Sequence, residues 1–144
     1  MISFFNDQID FTLKEKMLLK SWIKSIILKC NKKCSDINVI FCSDQKILEI
    51  NKQFLGHDYF TDIITFNYCS EDKISGELYI SVDTVKENSK EYGEPFDREL
   101  HRVIIHGILH LLDFNDLSKE EKLKMREQEN FALDLLESIK KRKD

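Results

Sequence analysis

The chain has 144 residues, of which 42% are hydrophobic and 33% charged, and its formal net charge at pH 7 is −4. That length suits one domain with a hydrophobic core, so we expect residues 1–144 to form a single domain. The acidic balance argues against indiscriminate binding of nucleic acid, and no apolar run approaches the ~20 residues needed to span a bilayer. The first residues lack a basic start followed by a long apolar stretch, which predicts no signal peptide and a cytoplasmic location.

The first half of the chain alternates β-branched runs with segments in which apolar residues recur at helical spacing. These patterns predict, in order, a strand over residues 2–5, a helix capped by Thr12, a strand over residues 37–42 and a short helix capped by Ser43 or Asp44.

The second half predicts two more strands and three more helices. In order, these are strands over residues 62–68 and 77–81 joined by a polar turn, a helix from Ser81 to about Tyr92, a helix begun by Pro95, and a last helix opened by the capping box of residues 118–121. The resulting order β-α-β-α-β-β-α-α-α predicts an α+β fold, with a mixed sheet of about four strands packed against about five helices.

Two histidines lie one turn apart on the helix that follows Pro95. His106 and His110 are separated by four residues, so their side chains share one helix face. If the chain breaks after the helix and turns back, Asp116 can reach the same ion. Two imidazoles and a carboxylate, with one position left for water, are typical of a catalytic metal site. The alternative is that the histidines are hydrogen-bonded inside the core, because this helix is strongly apolar.

The spacing His-x3-His-x5-Asp is that of the long metzincin zinc motif with its third histidine replaced. The glutamate that serves as general base in that motif is Gly107 here, so a metalloprotease-like activity lacks its base. The glycine that ends the metzincin helix is Asp113, and aspartate is among the few residues that tolerate a left-handed backbone. A non-haem iron oxygenase also uses two histidines and one carboxylate, but such sites usually lie on β-barrels.

The same segment resembles the signature H-G-x-L-H-L-x-G-Y-D-H of the YbeY family, the metal-dependent endoribonucleases of ribosomal RNA maturation. The matching residues are His106, Gly107, Leu109, His110 and Leu111. Upstream, residues 61–66 resemble the T-D-V-L-S-F strand of the family, and residues 75–81 resemble its G-D-I-x-I-S strand. Downstream, Met125 and Glu129 fit its M-x-x-x-E helix. The order and spacing of these motifs agree over residues 35–137.

Several positions depart from the family pattern. Asp113 stands where the pattern has Gly, Phe114 where it has Tyr and Asn115 where it has Asp. Asp116 occupies the third ligand position, where the pattern has His. In the upstream segment N-x-x-Y-R-G, Leu55 stands where the family usually has Arg, so any basic contact that the family makes to the RNA backbone at that point is missing here. Nearby side chains able to replace it are Lys52 and His57.

The resemblance implies a zincin-like α+β fold and a metal-dependent, single-strand-type endoribonuclease that acts on ribosomal RNA, with ribosomal particles as partners. His106, His110 and Asp116 would then hold one divalent ion, which we expect to be Zn²⁺. The ion would lower the pKa of a bound water and polarise the scissile phosphate. The remaining alternative is a non-catalytic ribosome-assembly factor with a structural metal.

Charged residues outside the ligand motif allow two interpretations. Glu99 and Arg102 precede His106 by seven and four residues, so either they support the metal ligands or they face solvent. The segment 12–33 carries seven lysines and one glutamate, in an otherwise acidic chain. Its basic helix is either an RNA-docking face or a solvated one, and the lysines concerned are Lys14, Lys16, Lys20 and Lys24.

Overall fold

The computed structural model describes residues 1–56 and 61–143, which fold as a four-stranded sheet with α-helices packed on it. The elements are β1 (Ile2–Asn6), α1 (Lys16–Lys29), β2 (Lys33–Cys42), α2 (Asp44–Ile50) continued by a π-helical turn (Asn51–Leu55), β3 (Ile63–Asn67), β4 (Lys73–Ser81), α3 (Val82–Glu91), α4 (Phe96–Leu111) and α5 (Lys119–Lys143). The predicted α+β fold with a four-stranded mixed sheet and five helices is therefore confirmed.

The sheet has the strand order β1-β2-β4-β3, in which only β3 is antiparallel to its neighbour. Alternate residues of β4 are buried, as expected for a strand with one face packed against helices. Helix α4 packs over β3 and β4 and carries the two histidines of the ligand motif. The carboxyl end of α4 therefore lies beside the antiparallel edge of the sheet.

Three sequence-based boundaries were wrong, the starts of α1, β2 and β4. Helix α1 begins at Lys16, after Glu15 with a left-handed φ of 59°, so Thr12 is not its cap. The cause is Leu13, which is buried although it precedes the helix, and which therefore extended the apolar spacing beyond the true helix. Strand β2 begins at Lys33 because residues 33 and 34 already pair with the start of β4. That pairing also converts part of the expected polar turn into strand.

Gly107 lets α4 lie close against the sheet. A Cβ atom built at this position would stand 2.7 Å from Ile63 Cδ1 and 3.0 Å from the Leu78 methyl groups. Any larger side chain would push the helix away from β3 and β4, so glycine here sets the height of the ligand-bearing helix above the sheet.

The far side of α4 is anchored by contacts with α1 and α5. Trp22 is fully buried, and its indole Nε1–H donates a 2.7 Å hydrogen bond to the carbonyl of Ala132 in α5. Its ring also packs edge-on against His101 of α4, with 6.1 Å between centroids. Trp22 thus belongs to the core. No helix within the described residues is long and apolar enough to cross a membrane.

Candidate metal centre

Three side chains converge at the end of α4. The Nε2 atoms of His106 and His110 lie 3.0 Å apart, and Asp116 Oδ2 lies 3.3 Å and 3.4 Å from them. Ligands of a tetrahedral zinc ion, with bonds of about 2.0–2.1 Å, are separated from one another by about 3.3 Å. The three atoms therefore have the spacing of one face of a zinc coordination tetrahedron. Among the described residues, these three side chains form a group that could hold a metal ion.

The chain reaches Asp116 through a Schellman turn at the end of α4. Asp113 has a φ of 71°, its N–H donates to the carbonyl of His110, and the N–H of Phe114 donates to the carbonyl of Leu109. These are the two hydrogen bonds of that motif, and they reverse the chain direction after the second histidine. The prediction that an aspartate would accept the left-handed position is confirmed. Asp113 itself is exposed and points no ligand atom at the cluster.

Glu129 of α5 orients the first histidine. Nδ1–H of His106 donates a 2.7 Å hydrogen bond to Glu129 Oε2, which leaves Nε2 of the same ring free to face Asp116. Burial alone would raise the pKa of the Glu129 carboxyl, but hydrogen bonds from His106 and Arg102 outweigh it and hold that pKa below its usual range. Burial alone would lower the pKa of His106, yet the bond to Glu129 and nearby carboxylates raise it.

The two residues expected either to support the ligands or to face solvent behave differently. Arg102 donates to Glu129 Oε1 at 3.0 Å and to Asn130 Oδ1 at 3.0 Å, so it acts on His106 through Glu129. Glu99 is only 5% exposed, which rules out the solvent-facing alternative for this residue. It lies in a pocket of about 170 Å³ behind His106, where burial raises the pKa of its carboxyl.

The histidines open onto a cleft of about 520 Å³. Its wall includes polar and apolar residues from the π-helical turn, from β3 and from the two residues before β3: Asn51, Leu55, Thr61, Asp62, Ile63, Ile64, Thr65 and Asn67. Within the described residues this lining contains no lysine or arginine. Leu55 is 45% exposed on one wall, and Lys52 is not part of the lining. His57 lies outside the described residues.

Asp62 lines the cleft and belongs to the T-D-V-L-S-F-like segment, but the sequence predicted no role for it in the site. Its carbonyl accepts a 2.9 Å hydrogen bond from the N–H of Ser81, which fixes the backbone at the start of β3. Burial raises the pKa of its carboxyl above the usual aspartate range, although the nearby His106 opposes that shift. The site therefore offers a carboxylate that can accept a proton beside the candidate ligands.

The basic residues of α1 lie elsewhere. Lys16, Lys20 and Lys24 follow one another at helical spacing along that helix, and none of them lines the cleft. Lys14 precedes the helix and approaches Asp97 at 4.0 Å. Their predicted role in docking RNA stays a prediction.

Comparison with known proteins reveals one consistent likeness. The family model described as "Endoribonuclease YbeY" matches residues 2–137. A relative of that name from Phocaeicola vulgatus is 50% identical over 136 residues, covering 94% of this chain and 99% of the relative. Another from Parabacteroides distasonis is 48% identical over 135 residues, covering 94% and 95%. The solution structure of TM1509 from Thermotoga maritima is similar at a TM-score of 0.65 and 34% identity, covering 96% of this chain and 93% of that one.

Proposed function

Because this chain belongs to the YbeY family of endoribonucleases, we propose that it cleaves ribosomal RNA during its maturation and that His106, His110 and Asp116 hold one divalent ion, Zn²⁺, for that purpose. The matched segment, residues 2–137, includes all three proposed ligands, which supports a single domain as the carrier of the activity. Ribosomal RNA and ribosomal particles are the proposed partners, and a cytoplasmic location stays a prediction.

The observation that carries the proposal is the triangle of ligand atoms facing an open cleft. Three protein ligands with room for a further one are the pattern of catalytic zinc sites, whereas structural sites are closed by four protein ligands. An ion in this position supplies Lewis-acid chemistry, polarising a phosphate oxygen and activating water. The donor set of two imidazoles and one carboxylate suits Zn²⁺, and Glu129 holds His106 in the tautomer that presents Nε2.

The structure of the site disfavours the metalloprotease-like alternative. That chemistry needs a carboxylate base directly after the first histidine, and this position is Gly107, where a side chain would collide with Ile63 and Leu78. An experiment on binding to ribosomal particles separates the proposal from a non-catalytic assembly factor with a structural metal. If the metal were structural, a ligand variant would lose association with ribosomal particles, because the metal would hold the binding surface together.

Metal analysis combined with activity measurements tests the proposal. We expect the purified protein to contain about one divalent ion per chain, to lose RNA cleavage on chelation and to regain it when Zn²⁺ is returned. His106→Ala and His110→Ala should each lose bound metal and activity. His101→Gln, on the same helix but packed against Trp22, is the matched control.

Circular dichroism should accompany these measurements, because α4 also belongs to the core. Full metal stoichiometry in either ligand variant would contradict the site assignment. Cleavage of RNA that survives complete removal of metal would contradict the proposed chemistry.

A further inference from the structure

Cleavage of RNA requires the enzyme to hold a polyanion beside the metal centre. The open cleft provides no lysine or arginine among its described residues, and two of its lining side chains, Asp62 and Asp116, are acidic. Leu55 is an apolar side chain on the same wall. Among the described residues, the lysine and arginine side chains that could neutralise a phosphate backbone therefore lie outside the lining of this cleft.

A second groove, on the α5 side of the same ligands, does contain cations. It has a volume of about 240 Å³ and is lined by His106, Asp116, Lys122, Met125, Arg126 and Glu129. Lys122 and Arg126 are four residues apart, so they lie on one face of α5. Met125 and Glu129 on that face are buried against the body of the protein. They fix the rotation of the helix and hold both cations beside the ligand atoms.

Both cations have donors available for a ligand. Lys122 is exposed and forms no ion pair among the described residues. Arg126 is 59% exposed and approaches Glu129 Oε1 at 3.4 Å, a carboxylate that already accepts closer bonds from His106 and Arg102. A guanidinium has five N–H donors in a planar fork that matches phosphate, so one long contact to Glu129 leaves most of them free.

We propose that Lys122 and Arg126 of α5 bind the backbone phosphates of the RNA strand next to the cleaved bond, in the groove that borders His106 and Asp116. The proposal rests on the proposed RNA-cleaving function and adds the direction in which the strand leaves the metal centre. Because phosphate contacts carry no sequence information, these residues position the substrate without selecting its bases.

The role of the two cations is tested by comparing two double variants of the metal-loaded protein. The groove variant is Lys122→Gln/Arg126→Gln, and the control variant is Lys86→Gln/Lys124→Gln. Lys86 and Lys124 are exposed and line neither groove, so the control removes the same charge elsewhere. Cleavage of a single-stranded RNA is followed as kcat and KM over a series of salt concentrations. Loss of two charged hydrogen bonds should raise KM roughly tenfold or more at low salt and leave kcat nearly unchanged.

The salt dependence distinguishes phosphate binding from a structural role. In the groove variant the log–log slope of kcat/KM against salt should become shallower by about 0.7 for each phosphate that is no longer neutralised, as for single strands. Arg126→Lys keeps the charge and should keep most of the slope. Metal content should equal that of the parent in every variant, because none of these residues is a proposed ligand.

Two results would overturn the proposed binding of phosphates in the groove while leaving the proposed function intact. One is that the parent cleaves RNA and the groove variant cleaves it with the same KM and the same salt dependence. The other is a change confined to kcat or to metal content, which would mean that Arg126 acts only through Glu129. A metal-loaded parent that cleaves no RNA would instead overturn the proposed function.

Discussion

The aspartate at the third ligand position alters both the charge and the hardness of the proposed site. Asp116→Ala should lose most of the metal affinity, because Oδ2 is the atom that lies 3.3–3.4 Å from both imidazoles. Asp116→His should keep the metal. A neutral imidazole leaves more positive charge on the ion than a carboxylate does, so this variant should reach half-maximal activity at a lower pH.

Competition with a chromogenic chelator measures these affinities, and pH–rate profiles measure the second effect. Asp113→Ala is the control, because Asp113 is exposed and lies outside the ligand cluster. If Asp116→Ala binds metal as tightly as the parent and Asp113→Ala does not, the third ligand is Asp113.

A second residue-scale prediction concerns Asp62, whose carboxylate borders the cleft beside His106. Asp62→Asn keeps the shape of the side chain but removes its capacity to accept a proton. We expect kcat for RNA cleavage to fall by about 10²-fold or more with unchanged metal content, the loss typical of a proton-transfer group. The matched control is Asp10→Asn, at an exposed position outside the cleft. An unchanged kcat in Asp62→Asn would show that Asp62 transfers no proton in the reaction.

The turn that ends α4 stores a small backbone strain. Asp113 holds a left-handed φ of 71°, a conformation that glycine adopts without the steric penalty of a Cβ atom. Asp113→Gly should therefore raise the free energy of unfolding by up to about 1 kcal/mol, whereas Asp113→Ala should lower it. Urea unfolding of the two variants and the parent measures the difference. Equal stabilities of the glycine and alanine variants would show that the turn relaxes to another conformation.

The basic face of α1 gives a prediction about a whole helix. Replacing Lys16, Lys20 and Lys24 with Gln should weaken binding of RNA and reduce its salt slope by roughly 0.7 for each phosphate that these lysines neutralise. Fluorescence anisotropy with a labelled single-stranded RNA, repeated at several salt concentrations, measures both. The control removes three exposed lysines from other helices: Lys86, Lys90 and Lys124. A slope equal in the two triple variants would mean that α1 presents only a solvated face.

At the scale of elements, apolar spacing and capping residues predicted the helices and strands well where the capping side chains make their expected local hydrogen bonds. Ser43 accepts the N–H of Lys46, and Ser118 and Glu121 form the reciprocal bonds of the expected capping box. The start of α1 was wrong because Leu13 is buried by tertiary contacts, and these are not local in sequence. The ligand loop was predictable because the Schellman turn uses residues adjacent to the motif.

At the scale of the molecule, the sheet order and the support of the ligands depend on distant pairs. Strand β4 inserts between β2 and β3, a pairing that no local pattern specifies. The bond between His106 of α4 and Glu129 of α5 joins two residues that are 23 positions apart in sequence. Two features of the sequence point to it. Glu129 fits the M-x-x-x-E pattern, and it lies within the apolar stripe of α5, between Met125 and Leu133, where a buried charge needs a partner.

Packing of three helices around His101 links global stability to pH. The ring lies against Trp22 of α1, and burial lowers the pKa of His101, with Lys140 of α5 acting in the same direction. The negative charges of Asp97, Glu15 and Glu137 oppose that shift, but the net pKa of His101 remains below its usual value.

The unfolded chain therefore binds more protons at this residue than the folded protein once the pH falls below about 6.5. The stabilising contribution of neutral His101 is present above that pH and is lost as the pH falls from there through the lower pKa of the folded protein. His101→Phe keeps an aromatic ring in the core but cannot bind a proton. We expect this variant to lose less stability than the parent between about pH 7.5 and pH 5.5.

Urea unfolding of both proteins at the two pH values measures the effect as a difference of differences, in which titration of the metal-site groups cancels. The free energies should diverge in favour of the variant at the lower pH even if the substitution costs stability at the higher one. Equal losses in the two proteins would mean that His101 becomes protonated within the folded core, and that the packing of α1, α4 and α5 around the ring tolerates the charge.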